Sequence, residues 1–224
     1  MLLLAADTSG KHGSIALARG EFDGGCEAFD VVPLAGGTFS AQLVPQIASL
    51  LAKHGFAKED LDGFVVASGP GSFTGLRVGL AAIKALAEVL NKPIAAVSLL
   101  EVLALQSESE GKILAALDAG RGEFYVGEYD LAADSAQLVR EQLMGRDGLL
   151  AEGQKSKLVT SDEALVEFAR AAGVAVFPVA PVNAATIAPI GWKKIQSGET
   201  VSPEQLEANY IRRSDAEIFA KPSS

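Results

Sequence analysis

Hydrophobic runs and helical patterns alternate along the chain. Short apolar runs predict buried strands before Asp7 and at 64–67, 93–97, 157–160 and 174–179. Stretches with apolar residues three and four positions apart predict helices at 41–51, 76–90, 99–106, 162–172, 184–197 and 203–209. Ser161 and Ser202 are the predicted caps of the helices that follow them. Strands that alternate with helices in this way predict an α/β fold.

Two stretches of the pattern resemble each other. Residues 2–17 and 113–129 each contain an apolar run that ends in an aspartate, Asp7 or Asp118, then a glycine-containing turn and a returning apolar run. This arrangement is typical of a β-hairpin. Because the two aspartates are about half the chain apart, the pattern indicates two copies of one unit. A chance similarity between two hairpins is the alternative.

A glycine-rich run at 69–79, Gly-Pro-Gly-Ser-Phe-Thr-Gly-Leu-Arg-Val-Gly, follows a predicted strand and opens a predicted helix. Glycine adopts positive φ at little cost and proline fixes its own φ, so the run indicates an unusual backbone path. It matches neither the P-loop nor the dinucleotide fingerprint. A tight turn capped by Ser72 or Thr74 and an anion cradle both remain open.

Composition and charge narrow the possible functions. The net charge of −9 disfavours direct binding of a polyanion such as tRNA. The chain has no run of 18 apolar residues and no basic flank at its start, so we expect a cytoplasmic protein without a membrane span. Cys26 is the only cysteine, and His12 and His54 are the only histidines, so we expect neither a disulfide framework nor a metal site.

Four stretches carry a resemblance to a known family: residues 4–9, 68–79, 115–125 and 210–213. With them the chain resembles the bacterial TsaB (YeaZ-like) family, the dimerisation subunit of the tRNA threonylcarbamoyladenosine machinery. The resemblance implies two tandem ribonuclease-H-like lobes of the actin-like, sugar-kinase-like (ASKHA) architecture. We expect a first lobe at 1–106, a smaller second lobe at 107–202, and a C-terminal helix at 203–220 that packs back on the first lobe.

The same resemblance implies that the two hairpin turns are vestigial sites for nucleotide phosphates. The expected residues of these turns are Asp7, Thr8, Ser9, Asp118 and Arg121. The alternative is that each aspartate only accepts hydrogen bonds from the backbone of its own turn. Leu99 and Leu103 stand where the catalytic relative TsaD carries two histidines, which implies that the catalytic site has been lost.

A partner interface is predicted on the helices at 41–51 and 76–90. The second helix is apolar nearly all round, with only Arg77, Lys84 and Glu88 charged, so we expect it to be covered on more than one side. Packing against the chain's own sheet is the alternative. The predicted interface residues are Phe39, Leu43, Ile47, Leu50, Gly75, Leu76, Gly79, Ala82, Ile83 and Leu86.

The resemblance therefore implies a non-catalytic scaffold rather than an enzyme. Its expected partners are a TsaD-like catalytic subunit, a TsaE-like ATPase and a second copy of the chain when it is alone, while tRNA is contacted only indirectly. We expect no cofactor beyond weak nucleotide binding. The alternatives are a small actin-like ATPase or kinase and a glycoprotease-like peptidase.

Overall fold

The computed structural model describes residues 1–22, 24–132 and 135–212, which fall into two compact units. Unit 1 contains residues 1–102 and 182–208. Unit 2 contains residues 103–181 and the segment that begins at Asn209.

Unit 1 is built around a five-stranded mixed sheet. The strand order is β3-β2-β1-β4-β5; β1 pairs antiparallel with β2 and parallel with β4. Its elements are β1 (Leu2–Asp7), β2 (Gly13–Glu21), β3 (Gly25–Leu34), α1 (Phe39–Lys53), β4 (Gly63–Gly69), α2 (Phe73–Leu90), β5 (Ile94–Ser98), the start of α3 (Leu99–Gln106) and α6 (Ala184–Ser197).

Helices cover both faces of this sheet. Leu4 and Ala6 of β1 belong to a buried cluster with Leu43 of α1 and Ile83 of α2. On the opposite face, α6 crosses all five strands so closely that a Cβ at Gly191 would lie 2.3 Å from Val65 Cγ1. All six residues of β1 are buried because both faces of the strand are covered.

Unit 2 repeats the same topology. Its strand order, β8-β7-β6-β9-β10, matches that of unit 1 position by position, and β6 pairs antiparallel with β7 and parallel with β9. The elements are β6 (Gly111–Gly120), β7 (Glu123–Ala132), β8 (Ser135–Gly145), α4 (Arg146–Gly153), β9 (Lys157–Thr160), α5 (Glu163–Ala171) and β10 (Val176–Pro178). The predicted α/β fold of two similar lobes is confirmed.

The C-terminal part of the prediction needs two corrections. Helix α6 belongs to unit 1 rather than to the second lobe, because its small and apolar residues pack across the first sheet. The described part of the predicted helix 203–220 is a single turn: Leu206 N bonds to Ser202 O, but the helix does not continue. Leu206 is buried in the core of unit 1, which anchors the chain there. Residues 213–220 lie outside the described residues.

Three further elements differ from the sequence pattern. Strands β3 and β8 and helix α4 carry no clear periodicity, and they lie where the sequence predicts no element. Both strands are at an edge of their sheet with many exposed residues, so their sequences lack a buried run. Among the described residues, no helix is both long and apolar enough to cross a membrane.

Candidate functional site

The first hairpin turn begins at Asp7, the last residue of β1. The Asp7 carboxylate is buried and its Oδ1 accepts hydrogen bonds from Ser9 N at 2.9 Å and from Ser9 Oγ at 2.5 Å. Burial raises the pKa of Asp7, although the bonds from Ser9 oppose this effect. The contacts of Asp7 Oδ1 are therefore those of a residue that closes its own turn.

The glycine-rich run packs directly on this turn. Thr8 Oγ1 donates to Gly75 O at 2.8 Å, and Ser72 N donates to Ser9 O at 2.6 Å. A Cβ at Gly75 would lie only 2.1 Å from Thr8 O. The glycine at this position therefore permits a close approach between the start of α2 and the first turn.

The same run forms the beginning of α2. Ser72 is the cap residue, and its Oγ accepts a hydrogen bond from Gly75 N at 3.2 Å. Ser72 is one of the two cap residues, Ser72 and Thr74, that the sequence predicts. The contacts of the run favour the capped-turn interpretation over an anion cradle, because Ser72 N already donates to Ser9 O.

The second hairpin turn lies in unit 2 between β6 and β7. Asp118 Oδ1 accepts a hydrogen bond from Gly120 N at 3.0 Å, as Asp7 does from Ser9 in unit 1. Gly120, Arg121 and Gly122 have φ values of +73°, +61° and +77°. Three successive left-handed residues form a tight turn, and in the structure Arg121 occupies the middle position although it has a Cβ.

Arg212, which the sequence did not single out as a site residue, also contacts this second turn. Its Nη1 donates to Ala119 O at 2.8 Å, and its Nη2 lies 2.5 Å from Glu123 Oε2. The Tyr210–Arg213 stretch of the family resemblance was the only signal that could have drawn attention to it.

Most of the predicted partner-interface side chains lie inside unit 1. The buried members are Phe39, Leu43, Ile47, Leu50, Gly75, Leu76, Gly79 and Ile83. Six of them supply apolar side chains to the core cluster, and a Cβ at Gly79 would lie 2.3 Å from Thr8 Oγ1. For these eight residues the alternative, packing against the chain's own sheet and turn, describes the structure. Ala82 and Leu86 are partly exposed, so their interface role stays a prediction.

The outward faces of the same two helices carry exposed apolar residues, although α2 also exposes Arg77 and Glu88. Val44 of α1 is 55% exposed and Val89 of α2 is 74% exposed. No charged residue occurs in α1 before Lys53, its last residue. Helices on the surface of a monomer normally place charged residues on the solvent side, so the exposed face of α1 is unusual.

One of the two histidines considered as metal ligands, His54, contacts an aspartate at the end of α1. His54 Nε2 lies 2.7 Å from Asp30 Oδ2 at the end of α1, and no cluster of three or more metal-ligating residues occurs in the described part of the chain. Leu99 and Leu103, the leucines that the family resemblance compares with histidines of TsaD, are both buried.

The repeated sheet order and the paired hairpins define a protein of two ribonuclease-H-like lobes, the actin-like and sugar-kinase-like class. Residues 31–213 match the sequence model of the family described as TsaD, tRNA N6-adenosine threonylcarbamoyltransferase. The TsaB protein of Bacillus subtilis is 39% identical over 58% of this chain and 55% of its own length. The TsaB protein of Escherichia coli is 26% identical over 96% of both chains. Both relatives are named tRNA threonylcarbamoyladenosine biosynthesis proteins.

A solved structure agrees with these relatives. YeaZ from Pseudomonas aeruginosa superposes with a TM-score of 0.72 and 25% identity, covering 94% of this chain and 100% of that one. The chain therefore belongs to the family that the matching TsaD model describes, among its TsaB (YeaZ-like) members.

Proposed function

We propose that the chain is a non-catalytic subunit in tRNA threonylcarbamoyladenosine biosynthesis, and that it acts by pairing through the outward faces of α1 and α2. The observation that carries this proposal is the exposure of two large apolar side chains, Val44 on α1 and Val89 on α2. Burying such a surface against another protein is favourable because it removes apolar area from water. The names of the TsaB relatives supply the pathway.

The proposed partners are a second copy of the chain when it is alone and a TsaD-like catalytic subunit in the working complex. The third proposed partner is a TsaE-like ATPase. The net charge of −9 supports the view that a partner rather than this chain holds the tRNA, because phosphate contacts need positive charge. The cytoplasm is the compartment in which such a complex would meet its tRNA.

The proposed lack of catalysis is supported by the contacts of the first turn. The Asp7 carboxylate is buried and bonded to Ser9, while the Thr8 hydroxyl is bonded to Gly75 O. A kinase or ATPase needs carboxylates that orient Mg²⁺ and free donors for phosphate. The leucines at 99 and 103 offer no ligand for a metal.

Val44→Glu tests the pairing. A carboxylate buried at an interface without a partner costs several kcal/mol, so the dissociation constant of the homodimer should rise by about 100-fold or more. Sedimentation velocity at micromolar concentration measures the homodimer, and co-elution with a TsaD-like protein measures the second complex. The matched control is Val139→Glu in β8, because Val139 is similarly exposed at 54%.

The outcome that contradicts the proposal is equal association of the Val44→Glu variant, the Val139→Glu variant and the unsubstituted chain. A monomer of the unsubstituted chain that also fails to bind the TsaD-like protein would contradict it as well. The ATPase, kinase and peptidase alternatives are tested separately by calorimetry with ATP and Mg²⁺ and by peptide hydrolysis. Rapid turnover by the isolated chain would overturn the non-catalytic role.

A further inference from the structure

The β6–β7 turn of unit 2 presents two backbone carbonyl oxygens to the side chain of Arg212. The carbonyl oxygen of Ala119 lies 2.8 Å from Arg212 Nη1, and the carbonyl oxygen of Gly120 lies 3.4 Å from Arg212 Nη2. The N–H of Gly120 already donates to Asp118 Oδ1. A phosphate needs donors, whereas converging carbonyl oxygens attract a cation.

Glu123 completes the acceptor set with a negative charge. Its Oε2 lies 2.5 Å from Arg212 Nη2, so the two ends of the guanidinium fork contact different acceptors. The ring of Tyr125 lies 5.9 Å from the guanidinium carbon of Arg212. A planar fork beside an aromatic ring is a geometry that arginine satisfies and lysine does not.

A second contact holds the same C-terminal segment on unit 2. Asn209 Nδ2 donates to Glu141 Oε2 on β8, and Glu141 Oε1 accepts from Tyr129 Oη of β7 at 2.5 Å. Tyr129 is buried, so the Glu141 carboxylate connects the interior of the sheet to the segment. Residues 209–212 therefore contact both β8 and the β6–β7 turn.

We propose that Ala119 O, Gly120 O, the Glu123 carboxylate and the Tyr125 ring form a guanidinium-binding site. The chain's own Arg212 fills the site and fastens the C-terminal segment to the second hairpin. The turn thus takes an arginine side chain as its ligand, in place of the phosphate that the family resemblance implied. The guanidinium also neutralises Glu123 and holds the carbonyls of the left-handed turn in place.

Hydrogen exchange of the full chain tests this site. The Arg212→Ala variant should exchange the amides of residues 119–124 about tenfold faster, because hydrogen bonds to a charged group are lost. Arg212→Lys should recover only part of the protection, since an ammonium group cannot form the fork. Arg170→Ala, which removes an exposed arginine from α5 of the same unit, is the control and should leave these amides unchanged.

Chemical rescue distinguishes a guanidinium site from a general structural effect. Methylguanidinium added to Arg212→Ala at millimolar concentration, far below the denaturing range, should restore the slow exchange of residues 119–124. Methylammonium at the same concentration should not. Unchanged exchange in Arg212→Ala, or equal rescue by the two cations, would overturn the proposal.

Discussion

Replacing Gly79 with alanine tests why α2 carries a small residue against the first hairpin turn. A Cβ at Gly79 would lie 2.3 Å from Thr8 Oγ1, but 3.5 Å or more from the other side-chain atoms of Thr8. The collision is therefore with the hydroxyl alone. Thr8→Ala removes that hydroxyl and should remove the conflict.

Gly79→Ala makes opposing contributions to the free energy of unfolding, and each can be estimated. Alanine is more favourable than glycine in a helix by about 1 kcal/mol. Overpacking costs about 1–3 kcal/mol, and displacing the Thr8 hydroxyl from Gly75 O costs about 1 kcal/mol more. Gly79→Ala alone should therefore lower the free energy of unfolding by about 1–3 kcal/mol. In the Thr8→Ala background the same change should raise it by up to about 1 kcal/mol.

Urea unfolding of the four proteins of this cycle measures the coupling between the two residues. Trp192 is the only tryptophan, lies buried in unit 1 and packs against Gly20, so its fluorescence reports the unfolding of this unit. A loss of 2 kcal/mol should also lower the melting temperature by about 4–8 °C. Gly148→Ala in α4 of unit 2 is the control and is followed by far-UV circular dichroism, which reports both units; because the nearest atom beyond its chain neighbours and its own helix backbone lies 4.0 Å from a Cβ there, it should be neutral or stabilising.

An equal effect of Gly79→Ala in both backgrounds would refute this reasoning. It would mean that the alanine methyl meets some atom other than Thr8 Oγ1. The pairing variants at Val44 are independent of this result, since Val44 lies on the exposed side of α1. Gly79 itself is unsuitable for testing a partner surface, because changing it perturbs the core of unit 1.

Two further predictions concern Asp7 and the start of α5. Asp7→Asn should raise the free energy of unfolding at neutral pH, because burial raises the pKa of Asp7 above its ordinary value of 3.8 and penalises the carboxylate. The folded protein then binds more protons than the unfolded chain, so the penalty disappears as the pH falls toward about 4, where urea midpoints of the two proteins should converge. Asp162→Ala should lower the unfolding free energy by about 1 kcal/mol, because Asp162 Oδ1 accepts from Ala164 N at 2.9 Å. Ser161→Ala should change it by less than about 0.5 kcal/mol in the same urea titration. A constant difference for Asp7→Asn at all pH values, or a larger loss at Ser161 than at Asp162, would contradict these assignments.

The cap of α5 illustrates the limit of local patterns. Ser161 and Asp162 are both good cap residues, so the sequence places the helix start correctly to within one position. The choice between them depends on backbone dihedrals, and Asp162 has the extended conformation whose side chain reaches Ala164 N. Helix α6, in contrast, has the bounds that its hydrophobic pattern predicts, and the structure shows a cap at Asn183 and a glycine, Gly198, after its last residue.

The predicted interface shows a second kind of limit. Hydrophobic periodicity identifies which residues of α1 and α2 lie on one face, but a core-facing stripe and a partner-facing stripe have the same spacing. The structure places Leu43 and Ile83 in the core and leaves Val44 and Val89 outside. The sequence predicts that α2 is covered on more than one side, but it does not tell which side faces the core and which side faces outward.

The sequence by itself determined the repeated hairpins, the alternation of strands and helices, and the family, because these depend on local periodicity and on short motifs. Only the tertiary structure decided that α6 belongs with the first sheet, that Gly79 faces Thr8, and that Arg212 lies on the turn beside Glu123. These contacts join residues far apart in the chain. Local pattern carries no information about them, since they arise only when packing brings distant segments within a few ångströms of each other.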